Sequence, residues 1–196
     1  MNVKFNEYET PDLQQIQEEF EPFLEKYVRG RKCIIEIGTC RGGTLYHFMQ
    51  VADPNAIIIS IDLPDGHFGG EYGQPDIEEM QSWKQPGQTL HVIRADSHKD
   101  STREQVFRIL RGNGCDMLFI DGDHTLAGAK LDYIMYSYLM DIGGIIVFHD
   151  VTYHTPDTNC AVHELWQELT EARHEDTETF IKQPPTNTAG IGVIKL

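Results

Sequence analysis

Five short apolar runs in the sequence end on acidic residues. Ile34-Ile35 leads into Glu36, Ile57–Ile61 into Asp62, Ile93-Arg94-Ala95 into Asp96, Leu118–Ile120 into Asp121, and Ile145–Phe148 into His149-Asp150. Carboxylates are costly to crowd or bury unless they meet hydroxyls, amines or cations. One such acid is ordinary turn chemistry, but five at matching places describe a polar binding edge. The first acid opens the stretch Glu36-Ile37-Gly38-Thr39-Cys40-Arg41-Gly42-Gly43-Thr44. Gly38 allows a sharp backbone turn against a ligand, and Gly42-Gly43 would present helix-start amides to a carboxylate or phosphate. Cys40 stands where the G-x-G-x-x-G fingerprint needs its middle glycine, which disfavours a nicotinamide-dependent dehydrogenase. Asp62 follows Gly43 by nineteen residues, a place from which it can accept both hydroxyls of a ribose. With no nearby Arg to hold a 2′-phosphate, a non-phosphorylated adenosine fits best.

These residues need a scaffold that gathers them. The β-branched runs Cys33–Ile37, Ile57–Ile61, His91–Arg94, Met117–Ile120 and Ile145–Phe148 predict strands, followed by weaker ones at Thr177–Ile181 and Ile191–Ile194. Their near-continuous apolar character suits strands covered on both faces. Helical stretches at Thr44–Val51, Ser101–Arg111, Thr125–Met140 and Ala161–Arg173 alternate with them. The fold class is therefore α/β: a Rossmann-like, doubly wound, mostly parallel seven-stranded sheet with an antiparallel edge strand and helices on both faces. In such sheets ligands bind at the carboxyl ends of the strands, where the acids fall. One domain spanning 1–196 is expected, with an N-terminal helical extension over 1–30. There Thr10 reads as N-cap, Pro11 and Asp12 as the first turn, and Leu13, Ile16, Phe20, Leu24 and Tyr27 as the apolar face. Pro22 inside this pattern predicts a kink or two short helices. The stretch 63–88 shows little periodicity and reads as a long loop, an ordered active-site lid carrying Phe68, Tyr72 and Trp83.

The 196 residues include 31 acidic and 16 basic ones, for a net charge of −15. So acidic a chain repels phosphate backbones and anionic lipid, so neither a nucleic-acid nor a membrane partner is expected. No apolar run reaches the roughly 18–20 residues of a membrane span, and the first residues lack the order of a signal peptide. Cys33, Cys40, Cys115 and Cys160 form no C-x-x-C pair, which suggests reduced thiols and a cytoplasmic location.

Taken in order, Glu36-x-Gly38-x-x-x-Gly42-Gly43-Thr44, Asp62, Asp96-Ser97, Asp121-Gly-Asp-His124 and Gly143-Gly144…His149-Asp150 resemble a class I S-adenosylmethionine-dependent methyltransferase. More narrowly, IDLPDGHFGG, RADSH, LFIDGDHT and GGIIVFHD are similar to the bacterial cephalosporin-hydroxylase-like and macrocin O-methyltransferase-like subgroup. The resemblance implies S-adenosyl-L-methionine as cofactor. Glu36 and the loop Gly38, Thr39, Gly42, Gly43 and Thr44 would hold its methionine part, and Asp62 its ribose. Asp96 with Ser97 would meet the adenine edge, with Ile61 and Leu63 flanking the ring. The alternative for Asp96-Ser97 is a helix cap ahead of Ser101–Arg111.

Methyl transfer from a sulfonium is an in-line displacement that needs an aligned acceptor, and a neutral hydroxyl must also lose its proton. By the same resemblance Asp121, His149 and Asp150 occupy the positions of a metal-ligand set, Asp121 also bordering the cofactor, and His124 that of a general base. The cation would be magnesium or manganese, although His149 in place of a carboxylate tilts the set away from magnesium. Adjacent strand residues point to opposite faces, so His149 and Asp150 converge only if the strand ends there. Without a metal, His124 or His149 oriented by Asp121 would be the base. The expected partner is a small-molecule acceptor with a hydroxyl, such as a sugar or secondary metabolite. Two other readings stay open: a metal-dependent oxygenase or hydrolase built on His124, His149 and Asp150, and a non-catalytic nucleoside-binding protein. Among the remaining histidines, His47 reads as a packing or solvent residue, and His67 and His154 as loop residues within reach of a substrate. A homo-oligomer joined through the aromatic N-terminal helix is also open.

Overall fold

The computed structural model describes residues 11, 13–65, 73–172, 174–183 and 189–196. Its centre is a seven-stranded sheet of order β3-β2-β1-β4-β5-β7-β6. The strands are β1 (Cys33–Ile37), β2 (Ile57–Asp62), β3 (Thr89–Arg94), β4 (Cys115–Ile120), β5 (Met140–Phe148), β6 (Thr177–Phe180) and β7 (Ile191–Lys195). The first five run parallel, while β7 pairs antiparallel with both β5 and the edge strand β6. All seven expected strands form, and the fold class is the expected one. The order reverses between β1 and β4, and this switch point opens a crevice beyond the strand ends.

Strand pleating sorts the core into two layers. Ile35, Ile37, Ile59, Ile61, Leu118, Ile120, Ile146 and Phe148 face α4 (Asp100–Leu110), α5 (Leu126–Tyr136) and α6 (Val162–Ala172). Their neighbours Ile34, Ile58, Met117, Phe119, Ile145 and Val147 face α1 (Gln17–Phe23), α2 (Gly43–Val51) and α3 (Gln74–Ser82). Phe20 and Phe23 of α1 lie fully buried against Phe48, and Phe23 also meets Phe119 and Phe180. The aromatic face expected to offer a dimer contact is thus covered by the chain's own core.

Two local expectations are corrected, and the one for Pro22 is met. The first helix starts at Gln17, where the Ile16 carbonyl becomes its first acceptor, and Leu13–Ile16 is not helical. Thr10 and Asp12 lie outside the described residues. Around Pro22 the chain forms two short helical pieces, as expected: α1, and a π-helical turn over Leu24–Val28 closed by Arg29 N donating to Leu24 O. In place of a long loop, 63–88 contains α3. Asp76 accepts from the Gly73 amide at its start, Met80 is buried, and the Gln85 and Gln88 side chains donate to the Met49 carbonyl at the end of α2. The stretch from Gly73 is therefore anchored to the body; Phe68 and Tyr72 of the expected lid, and His67, lie outside the described residues.

Candidate active site

The glycine loop between β1 and α2 turns where the sequence places it. Gly38 has φ +92°, and a Cβ there would come within 2.0 Å of the Asp121 carbonyl oxygen, so the loop backbone lies directly on the end of β4. Gly42, at φ +83°, starts α2, and the ring of Trp83 packs where its Cβ would be. Asp62 holds the loop from the neighbouring strand, its Oδ2 accepting from the amides of Cys40 (2.7 Å) and Thr39 (3.1 Å). Burial pushes this carboxyl up to about 6 despite those amides. Below it, Glu36 is fully buried, with Oε2 accepting from the Ser60 hydroxyl and Oε1 left without a partner. Burial, reinforced by Asp121 and Asp62, holds Glu36 well above the usual carboxylate range.

A groove of about 200 Å³ opens beside this loop. Ile37, Gly38, Ile61, Asp62 and Leu63 form one side, Ala95, Asp96, Ser97 and His98 another, and Gly122-Asp123 the end near β4. Asp96 is not the cap of α4, whose N-cap is Lys99; its Oδ1 instead accepts from the His98 amide at 2.9 Å.

Asp121 and His124, which flank Gly122-Asp123 in the chain, belong to a knot of imidazoles and carboxylates. Strand β5 ends at Phe148 and Asp150 takes φ +60°, so the His149-Asp150 doublet does converge. His149 Nδ1 lies 3.1 Å from Asp121 Oδ1 and 3.2 Å from Asp150 Oδ1. His124 Nδ1 lies 2.8 Å from Asp150 Oδ2, and its Nε2 is 3.8 Å from Asp121. The orienting partner of His124 is therefore Asp150, where the sequence suggested Asp121. Burial disfavours the charged rings, but the two carboxylates outweigh it, raising His149 to about 10 and His124 to about 11. The same contacts hold Asp150 far below the carboxylate range although burial opposes them. Donor atoms of Asp121, His149 and Asp150 fall within 4.8 Å of one another, as do those of His124, Asp150 and Cys160. The two imidazoles thus belong to different groups, and the His124–His149–Asp150 arrangement of an oxygenase is not assembled.

Residues 35–151 match a sequence family described as a methyltransferase domain. The chain belongs to that family. The class I resemblance read from its motifs is borne out by this match and by the fold. The methyltransferase domain is similar in structure to an O-methyltransferase from Bacillus cereus in complex with SAH, at 15% identity and TM-score 0.65, covering 94% of this chain and 83% of that one. It is also similar to the CurJ carbon methyltransferase (18%, TM-score 0.59, 88% and 50%). A third is MycE, a methyltransferase of mycinamycin biosynthesis in complex with Mg, SAH and mycinamycin VI (15%, TM-score 0.54, 88% and 48%). The chain spans about half the length of the latter two. No curated protein matches it in sequence.

Several contacts around these residues were not singled out by the sequence. Gln15, in the segment ahead of α1, donates to Asp121 Oδ2 at 2.9 Å; its place in an expected amphipathic helix concealed it. Cys160 lies 3.9 Å from Asp150 Oδ2. His154, expected to reach a substrate, is instead buried, with Nδ1 on the Thr152 carbonyl and Nε2 3.5 Å from Asp150. His47 is a packing residue, its ring edge-on to Phe20. Thr44 is buried in the first turn of α2, and Thr39 hydroxyl pairs with Ser60.

Proposed function

We propose that this domain transfers the methyl group of S-adenosylmethionine to a hydroxyl of a small molecule, with a divalent cation at Asp121, His149 and Asp150. The observation that carries this reading is continuity. The groove lined by Asp62 and Asp96 ends at Gly122-Asp123, one residue from Asp121 and its imidazole partners. In this reading Glu36 and the Gly38–Gly43 loop hold the methionine end, Asp62 the ribose and Asp96 the adenine amine. The donor methyl then lies at the Asp121 end, where an acceptor can be aligned in line with it.

The donor set suits a cation. Two acids and an imidazole converge at β4 and β5, and their mixed nitrogen and oxygen character favours manganese, iron or zinc over magnesium. When bound, such an ion would polarise the acceptor hydroxyl and ease loss of its proton. His124, held protonated by Asp150 in the metal-free protein, can accept a proton only after losing its own. Gln15 fixes the remaining oxygen of Asp121. The four cysteines are all free thiols, which supports a reducing, cytoplasmic setting. No helix among the described residues is long and apolar enough to cross a membrane.

The test is release of S-adenosylhomocysteine from S-adenosylmethionine with a panel of sugar and macrolide hydroxyls, in manganese or magnesium. Acceptor-dependent release, reduced at least about 100-fold in Asp150→Ala, is expected. Release at the wild-type rate in both Asp150→Ala and His149→Ala would remove the metal centre from the reaction.

A further inference from the structure

The part of the groove formed by residues 95–98 carries an ion pair that the reading above leaves unused. Asp132, on α5, is wholly buried, and neither of its oxygens has a hydrogen-bond partner in good geometry. Its one ion pair among the described residues is with His98, whose Nε2 lies 3.2 Å from Asp132 Oδ1. Burying a carboxylate at that depth is costly unless a cation faces it, and Asp132 keeps the His98 ring above its ordinary range against the effect of burial. One turn along α5, Tyr136 donates its hydroxyl to the Ser97 carbonyl at 2.9 Å. The same helix face therefore fixes both Ser97 and His98.

His98 lines the groove beside Asp96. Its Nε2 is the buried nitrogen, turned to Asp132, which leaves Nδ1 on the Asp96 side, 3.9 Å from Asp96 Oδ1. That distance is too long for a hydrogen bond. The result is a carboxylate that accepts and, with Asp132 taking the ring's other nitrogen, an imidazole Nδ1 that donates when the ring is charged, side by side on one wall. A 6-aminopurine offers the complement, an amine donor next to a ring-nitrogen acceptor. A 6-oxopurine offers the reverse and would face two mismatched groups.

We infer that His98, positioned by Asp132, reads the purine edge together with Asp96 and makes the groove selective for adenine over 6-oxopurines. This inference rests on the reading of the groove as an S-adenosylmethionine site. His98 is the contact residue and Asp132 a positioning residue.

Calorimetric titration of the full chain with S-adenosylhomocysteine and with its 6-oxo analogue, S-inosylhomocysteine, tests it. Wild type should prefer the adenosyl ligand by at least about 10-fold, the scale of a charge-assisted hydrogen bond. His98→Ala should bind S-adenosylhomocysteine about 10-fold more weakly and with a smaller preference. His98→Gln, which keeps an N–H donor, should recover part of both. Asp132→Asn should lower the preference even where overall affinity survives, which a purely structural role would not do. An unchanged preference and affinity in His98→Ala would overturn the inference and leave the cofactor reading standing. Absence of S-adenosylhomocysteine binding to wild type would overturn both.

Discussion

At the residue scale the site is a matter of who neutralises whom. Asp121 and Asp150 bring negative charge to the ends of β4 and just past β5, and His149 and His124 answer it. Their raised values, about 10 and 11 against an ordinary 6.5, have a definite consequence for stability. A base whose folded value is raised stabilises fully below its unfolded value, and that stabilisation declines as pH rises toward the folded one. The chelator-treated protein should therefore lose roughly 5 °C or more of melting temperature between pH 7 and pH 10. His149→Gln should melt lower at pH 7 and show a flatter slope over that range. An identical slope in the variant would mean that His149 is not held charged. The acids themselves were legible because each ends an apolar run. Their partners were less so: His154 and Cys160 sit in irregular chain, and nothing local to Gln15 says that it reaches Asp121.

At the element scale, the sheet was legible because its strands are short, β-branched and bounded by turns. β5 is the partial exception. It begins at Met140, since α5 ends at Tyr136 and a short 3-10 turn follows, so the strand starts through the exposed stretch 141–143 rather than at its apolar half. α3 was illegible because only Ile77, Met80 and Trp83 repeat at helical spacing within a polar stretch. The element that most depends on one residue is the loop after β1. Gly38→Ala adds a Cβ to a backbone at φ +92° and drives it into the Asp121 carbonyl. It should cost about 2–4 kcal/mol in urea unfolding and abolish S-adenosylhomocysteine binding. Gly112→Ala is the control: φ is +82° but nothing lies within 4 Å. That change should cost only about 1 kcal/mol and leave binding intact. Equal effects of the two would mean that the contact between the loop and β4 does not shape the groove.

At the scale of the whole molecule, contacts between distant segments complete the site. Glu19 of α1 accepts from the amides of Lys182 and Gly190, tying the N-terminal helix to the chain before β7. Tyr27 and Lys26 reach Glu178 on β6 in the same way. With this anchoring, the segment ahead of α1 places Gln15 over Asp121. Such links join residues more than a hundred positions apart, and no local periodicity encodes them. The net charge of −15 is legible from composition and fits a positively charged sulfonium donor better than a polyanion.

The most direct test of the account is calorimetric titration of wild type and Asp62→Ala with S-adenosylhomocysteine. One site per chain is expected in wild type, with at least about a 10-fold loss of affinity in Asp62→Ala, which removes the proposed ribose acceptor and the clamp on Thr39 and Cys40. No binding to wild type at millimolar ligand, or equal binding by the variant, would contradict it.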